Sequence, residues 1–199
     1  MKKRLAWVVL LMLLALPVSA YTLADYPDVL FRQGVPAVVT SRPDDSGQRV
    51  ATNMLIADLQ RTARARGLRQ SVPVLAATKN MTPRDEVVIG EPCANLRMRE
   101  LLKLAAGNCQ TFVKKDQGLL LLVQDENVHV IITGSSGDRI LDAVKVLLDK
   151  RQRAQLTVFR APVERRTYQK YYVIGGRRFL DIGQTIGAAT PALSGGYHA

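Results

Sequence analysis

Residues 118–139 read Gly118-Leu119-Leu120-Leu121-Leu122-Val123-Gln124-Asp125-Glu126-Asn127-Val128-His129-Val130-Ile131-Ile132-Thr133-Gly134-Ser135-Ser136-Gly137-Asp138-Arg139. Gly118 to Val123 and Val128 to Thr133 are two apolar runs of strand length, and the four polar residues between them are hairpin-loop chemistry. A hairpin makes its two strands antiparallel neighbours. Gly134-Ser135-Ser136-Gly137 then opens a helix in which Ile140, Leu141, Val144, Leu147 and Leu148 fall on one face. Arg139, Asp142, Lys145 and Asp149 fall on the other.

Upstream the same alternation of apolar strand and amphipathic helix recurs. Val35 to Thr40 reads as a buried strand, with Pro36 near its start, where a missing N–H is least harmful. Asp45 or Ser46 can cap a helix from about Gln48 to Arg66, whose stripe is Ala51, Leu55, Ile56, Leu59 and Ala63 and whose stop is Gly67. Val72 to Ala76 reads as an edge strand and Glu86 to Gly90 as a buried one. A helix from about Asn95 buries Met98, Leu101, Leu102 and Ala105, with Arg97, Glu100 and Lys103 directed outward. Strands rich in Val, Ile and Leu between amphipathic helices need cover on both faces. The fold class is therefore α/β, a mixed β-sheet flanked by amphipathic helices. Leu156 to Val163 and Thr167 to Ile174 alternate as half-exposed strands do, and form either a C-terminal β extension of the sheet or a basic projecting arm.

The chain has 199 residues, 47% of them hydrophobic, with two cysteines. That excludes a wholly disordered chain, a multi-spanning membrane protein and a disulfide-built miniprotein. Lys2-Lys3-Arg4, the apolar run Leu5 to Leu16, Pro17 and the small residues Val18 and Ala20 have the layout of a secretory signal peptide. The other reading of this leader is a retained anchor. The expected organisation is a signal peptide over 1–20, an α/β domain over 21–152, a strand extension over 153–184 and a flexible tail over 185–199. Lys and Arg total 28 against 17 acids, a net charge of +11. Three of the cations lie in the leader, leaving 25 against 17, or +8, for the remainder.

Export bears on Cys93 and Cys109, because thiols outside the cytosol tend to pair. A helix from Asn95 to Ala105 would be about 16 Å long, whereas bridged Cα atoms lie about 4.4–6.8 Å apart. The bridge therefore demands a shorter helix; two buried free thiols are the alternative. Asn80-Met81-Thr82 is an N-glycosylation acceptor triplet, with Pro83 unfavourably placed after it. The turn Gly134, Ser135, Ser136 and Gly137 has the strand-to-helix context of an anion-binding site, without the spacing or lysine of a phosphate loop, and is also what a plain turn looks like. Cations recur at Arg61, Arg64, Arg66 and Arg69, at Arg151 and Arg153, and at Arg165, Arg166, Lys170, Arg177 and Arg178. Such charge attracts anionic polymers or acidic surfaces. Catalytic patterns are thin: His129 sits in an apolar strand as a packed or surface histidine would, His198 lies near the C-terminus, and the cysteines lack redox-pair spacing. The expectation is a protein that is not an enzyme, without cofactor or metal.

Three segments together resemble the archaeal surface-layer proteins, which build a paracrystalline coat around cells. They are Leu23-Ala24-Asp25-Tyr26-Pro27, Val87-Val88-Ile89-Gly90-Glu91-Pro92-Cys93-Ala94-Asn95, and Val130 to Arg139 leading into Ala143-Val144-Lys145-Val146-Leu147. The second is similar to a Gly-Gly-Pro-Cys-Ala-Asn turn of that family and the third to its strand, Ala-Gly-Tyr-Ser turn and helix. Here Glu91 stands for a glycine and Ser135 for a tyrosine. The resemblance implies an extracytoplasmic α/β domain, the Cys93–Cys109 pair and no catalytic residues. The chain is short and basic where coat subunits are usually longer and often acidic. The expected partners are other cell-envelope proteins or acidic glycans, with homo-oligomers open, no nucleic acid, and no membrane span once the leader is removed. The competing expectation is a soluble extracytoplasmic binding protein for an anionic ligand or glycan.

Overall fold

The computed structural model describes residues 21–41, 45–78, 81–104, 107–154, 167–174 and 177–180. The leader, Asn80, the strand expected over Leu156–Val163, Arg165 and Arg166, and the tail all lie outside the described residues.

In chain order the elements are β1 (Ala37–Thr40), α1 (Ser46–Ala65), β2 (Val74–Ala76), β3 (Glu86–Ile89), α2 (Leu96–Leu101), β4 (Gly118–Gln124), β5 (Val128–Gly134), α3 (Gly137–Leu148), α4 (Lys150–Arg153), β6 (Thr167–Ile174) and β7 (Arg177–Leu180). They form one mixed sheet in the order β2-β1-β3-β5-β4-β6-β7. β2, β1, β3 and β5 run parallel. The hairpin adds β4 antiparallel to β5, pairing Leu121 with Ile131, and β6 and β7 continue antiparallel beyond it. Of the two readings for Thr167–Ile174, the sheet extension is the one found.

Two cores cover the two faces. Val38, Val87, Ile89, Val130 and Ile132 meet Ala51, Leu55, Leu59 and Ala63 of α1 and Ile140, Val144 and Leu147 of α3. Leu23, Leu30 and Phe31, from two short 3-10 turns, and Tyr26 between them join the same side. Val39, Val88, Ile131, Leu119 and Leu121 face the other way, against Met98, Leu101 and Leu102 and against Val113. The strands are apolar without alternation because both faces are buried. Burying one Leu or Val side chain contributes roughly 1.5–3 kcal/mol, so these layers carry the fold.

Asp45 supplies the α1 cap, accepting from Gly47 N at 2.6 Å and Gln48 N at 3.4 Å. Gly67, at φ +74°, ends the helix as expected. α1 and α3 pack side by side, and their first turns touch at glycines. A Cβ on Gly47 would lie 2.6 Å from Gly137 C and 2.8 Å from Asp138 N. That neighbour is backbone and cannot rotate away. Gly47→Ala should therefore cost about 1–3 kcal/mol through overpacking, read as a lowered urea midpoint with an unchanged slope.

The order β2-β1-β3 means the chain leaves β1 to one side and returns on the other, which opens a crevice at the carboxyl ends of β1 and β3. Ser41, Gln48 and Asn95 fill it among the described residues. Gln48 Nε2 lies 3.4 Å from both Thr40 Oγ1 and Ser41 Oγ. Asn95 Nδ2 donates to Ile89 O at 3.1 Å while its Oδ1 caps α2 by accepting from Met98 N at 2.9 Å. Gly90, at φ +138°, packs so closely here that a Cβ would stand 2.6 Å from Ser41 Oγ.

Candidate functional site: a basic hollow beside the sheet edge

The C-terminal half of α1 and the loop leading to β2 enclose an open hollow of about 640 Å³, lined by Gln60, Arg64, Gly67, Leu68, Arg69 and Ser71. A second hollow of about 320 Å³ adjoins it, lined by Ala57, Gln60, Arg61 and Arg64. Gln60 builds the wall between helix and loop: its Oε1 accepts from Val72 N at 2.9 Å and its Nε2 donates to Gln70 O at 3.4 Å. Arg64 and Arg69 are exposed and have no carboxylate partner among the described residues. Arg61 reaches Asp58 at 3.4 Å but keeps 78% of its side chain in solvent. Desolvation of the guanidinium groups is thus small, and planar forks of this kind suit carboxylates.

The structure sorts the other cations. Arg66 turns away to Asp28 and lies over the Phe31 ring at 5.0 Å. Arg153 is buried, donating from Nη1 to Leu147 O at 3.0 Å, 5.6 Å from the Tyr26 ring centre. Arg177 and Arg178 fall in β7, where Arg178 pairs in register with Val173. Ser136 caps α3, accepting from Arg139 N at 3.5 Å. The Asp45 side chain, which caps α1, fills the space a Cβ on Gly137 would take, so the chain's own carboxylate already stands against this turn.

Cys93 and Cys109 form a disulfide with Cα atoms 5.1 Å apart. The geometric objection is met as expected: α2 stops at Leu101, and Lys103 adopts φ +51° as the chain folds back.

One expectation is corrected. Arg97 does not point outward; it is 5% exposed. Its Nε donates to Glu86 Oε1 at 2.8 Å and its Nη1 to Glu100 Oε2 at 2.9 Å. Glu86 is fully buried and its Oε1 also meets His129 Nδ1 at 2.9 Å, while His129 Nε2 lies 3.3 Å from Asp125 Oδ1. Beside them Asp85 Oδ1 accepts from Val128 N at 2.8 Å. Register explains the meeting: Glu86 and His129 are paired across β3 and β5 and share the face that α2 covers. No pattern within either strand announces this, because the partners lie 43 positions apart.

Burial pulls the His129 pKa down, but hydrogen bonds to Asp125 and Glu86 outweigh it and hold the pKa above the ordinary histidine value. A raised folded-state pKa means that the protonated ring stabilises the fold at pH below about 6.5, and that this contribution is lost as pH rises through the folded pKa. Asp85, pushed up by burial against the hydrogen bond from Val128, shifts stability in the same sense at lower pH. Stability should therefore fall as pH rises past about 6.5, and urea titrations of His129→Gln should lack that fall.

Among the described residues no helix is long and apolar enough to cross a membrane, and no group of three or more His, Cys, Asp or Glu is placed to hold a metal ion. No protein-family model matches the chain, and no curated protein matches it.

Proposed function

We propose that the chain is an exported, non-enzymatic structural or interaction protein of the cell envelope, a short domain of surface-layer type, acting through its basic surface on acidic envelope proteins or glycans. The observation that carries this reading is the Cys93–Cys109 disulfide, which crosslinks the segment of the surface-layer-like Pro-Cys-Ala-Asn turn. Such a bond persists in an oxidising compartment and is rare in a reducing one. The leader supports the same address, and the exposed Arg64 and Arg69, without a carboxylate partner among the described residues, supply a salt-sensitive attraction for anionic partners. Asn80 is a glycan acceptor in this setting.

Cell fractionation combined with peptide mapping under non-reducing conditions is the test. The reading expects a chain starting near Tyr21, a linked Cys93–Cys109 peptide, and release from the envelope as ionic strength rises. A full-length chain in the cytosol with both thiols alkylatable overturns it. The second reading, a soluble extracytoplasmic binding protein for an anionic ligand or glycan, rests on the same arginine-lined hollow; it expects an anionic small molecule to survive purification and no envelope association.

A further inference from the structure

Pro73 O accepts from Val38 N at 2.9 Å and Ala77 N donates to Thr40 O at 3.0 Å. Residues 73, 75 and 77 thus turn their backbone groups towards β1, and by the two-residue period Val74 and Ala76 turn theirs outward. The neighbouring outward N–H, that of Val72, is satisfied by Gln60 Oε1. Among the described residues β2 is the terminal strand of the sheet, so the outward groups of Val74 and Ala76 face an edge that no described strand covers.

The Val74 side chain on that edge is unusual for this molecule. Val50 and Val74, at 48% and 50% exposure, are the exposed large hydrophobic residues among those described. Val74 is in register with Val38, so it lies on the sheet face that α1 covers. Arg64 lies one turn after Gln60 on α1, and Gln60 ties this flank to the approach to β2, where Arg64 and Arg69 line the same hollow. The other flank of α1 is packed against α3. Val50 faces away from the sheet, opposite the buried stripe Ala51, Leu55, Leu59 and Ala63, while Arg64 and Arg69 stand with the loop that leads into the N-terminal end of β2.

We propose that the open edge of β2, with the Gln60–Arg64 flank of α1 and the loop to β2 beside it, receives an extended segment of another polypeptide as an added strand. That segment carries apolar side chains against Val74 and acidic ones against Arg64 and Arg69. The partner is acidic because Arg64 and Arg69 have no carboxylate partner among the described residues. A second copy of this chain is a poor occupant, since it brings no acidic complement: without the leader each copy carries 25 cations against 17 acids, a net +8. Main-chain hydrogen bonds supply affinity and the charges supply register, as in strand-addition complexes. This inference deepens the proposed function by naming its surface and partner, and rests on that reading.

The test uses the intact disulfide-bonded protein and a fluorescent peptide of sequence Glu-Asp-Glu-Val-Thr-Val-Thr-Val, followed by anisotropy. The controls are the Lys-for-acid version, the same acidic peptide N-methylated at alternate residues, and dextran sulfate. The acidic peptide should bind. Val74→Pro, which removes an N–H that β1 does not use, and Arg64→Glu/Arg69→Glu should each weaken it by about tenfold or more, roughly 1.4 kcal/mol or more. Should Val74→Pro fail to fold, the N-methylated peptide reads the same backbone pairing without touching the protein, and should bind about tenfold more weakly. No binding of the acidic peptide, equal binding of its N-methylated form, or dextran sulfate binding without peptide binding each overturns the proposal. Envelope association retained in folded Val74→Pro overturns this surface alone, whereas a cytosolic wild-type chain overturns the envelope reading and leaves the peptide result standing.

Discussion

Glu86→Ala should lower the free energy of unfolding by about 3–5 kcal/mol, the range found when one partner of a buried ion pair is removed. Glu86 Oε1 serves two donors at once, Arg97 Nε at 2.8 Å and His129 Nδ1 at 2.9 Å, and both side chains are more than nine-tenths buried. Without the carboxylate, Arg97 keeps only Glu100, whose side chain is 39% exposed and partly solvated. His129 can shed its proton, whereas Arg97 cannot. Most of the loss should therefore trace to the arginine. A double-mutant cycle checks this: with Arg97→Met already in place, Glu86→Ala should cost far less than alone. Replacing Glu86, Arg97 and His129 together by apolar residues of similar volume should come near neutral, because the cost of desolvating the charges disappears with them. The readout is urea unfolding at pH 6, where His129 is protonated and the network complete. A single Glu86→Ala loss below about 1 kcal/mol would show the buried pair to be idle.

The same network marks where sequence reasoning stopped. The mixed sheet was legible because the hairpin over 118–133 fixes one antiparallel pair and the apolar runs of β1 and β3 demand cover on two faces. α1 was legible because twenty residues give several turns of repeat, and Asp45 and Gly67 punctuate its ends. α2 is six residues long, under two turns, and so short a repeat does not settle which side of Arg97 faces inward. That side is set by Glu86 in β3, eleven positions earlier, whose charge reads in the sequence only as a polar start to a strand. The basic hollow was half legible. Arg61, Arg64 and Arg69 are visible as a run, but only tertiary structure shows that Arg66 leaves it for Asp28 and Phe31 while Gln60 draws the loop alongside. The edge position of β2 was legible, because Val72 to Ala76 reads as a short edge strand with Pro73 in it; which of its backbone groups turn outward follows only from its register with β1.

Breaking the disulfide should cost about 3 kcal/mol, the chain-entropy value for a loop of this size, because the crosslinked cysteines are 16 positions apart. The loss should concentrate on one side of the sheet. Met98, Leu101 and Leu102 cover Val88 and Ile131 there, and the returning chain adds Phe112 and Val113 to the same cluster. α2 is too short to persist on its own propensity; the Asn95 cap, the Arg97 ion pairs and the Cys93–Cys109 link hold it in place. Cys93→Ser/Cys109→Ser, or reduction of the wild type, should therefore raise amide exchange across residues 95–113 well before it affects α1 or α3. The two routes should agree, since both remove the same restraint from the unfolded chain. Equal exchange increases over both faces of the sheet would mean that the link acts globally, and an unchanged unfolding midpoint would mean that local packing already supplies the restraint. The cost should also add to that of Glu86→Ala by less than the simple sum, because both changes release the same short helix and its release is lost only once.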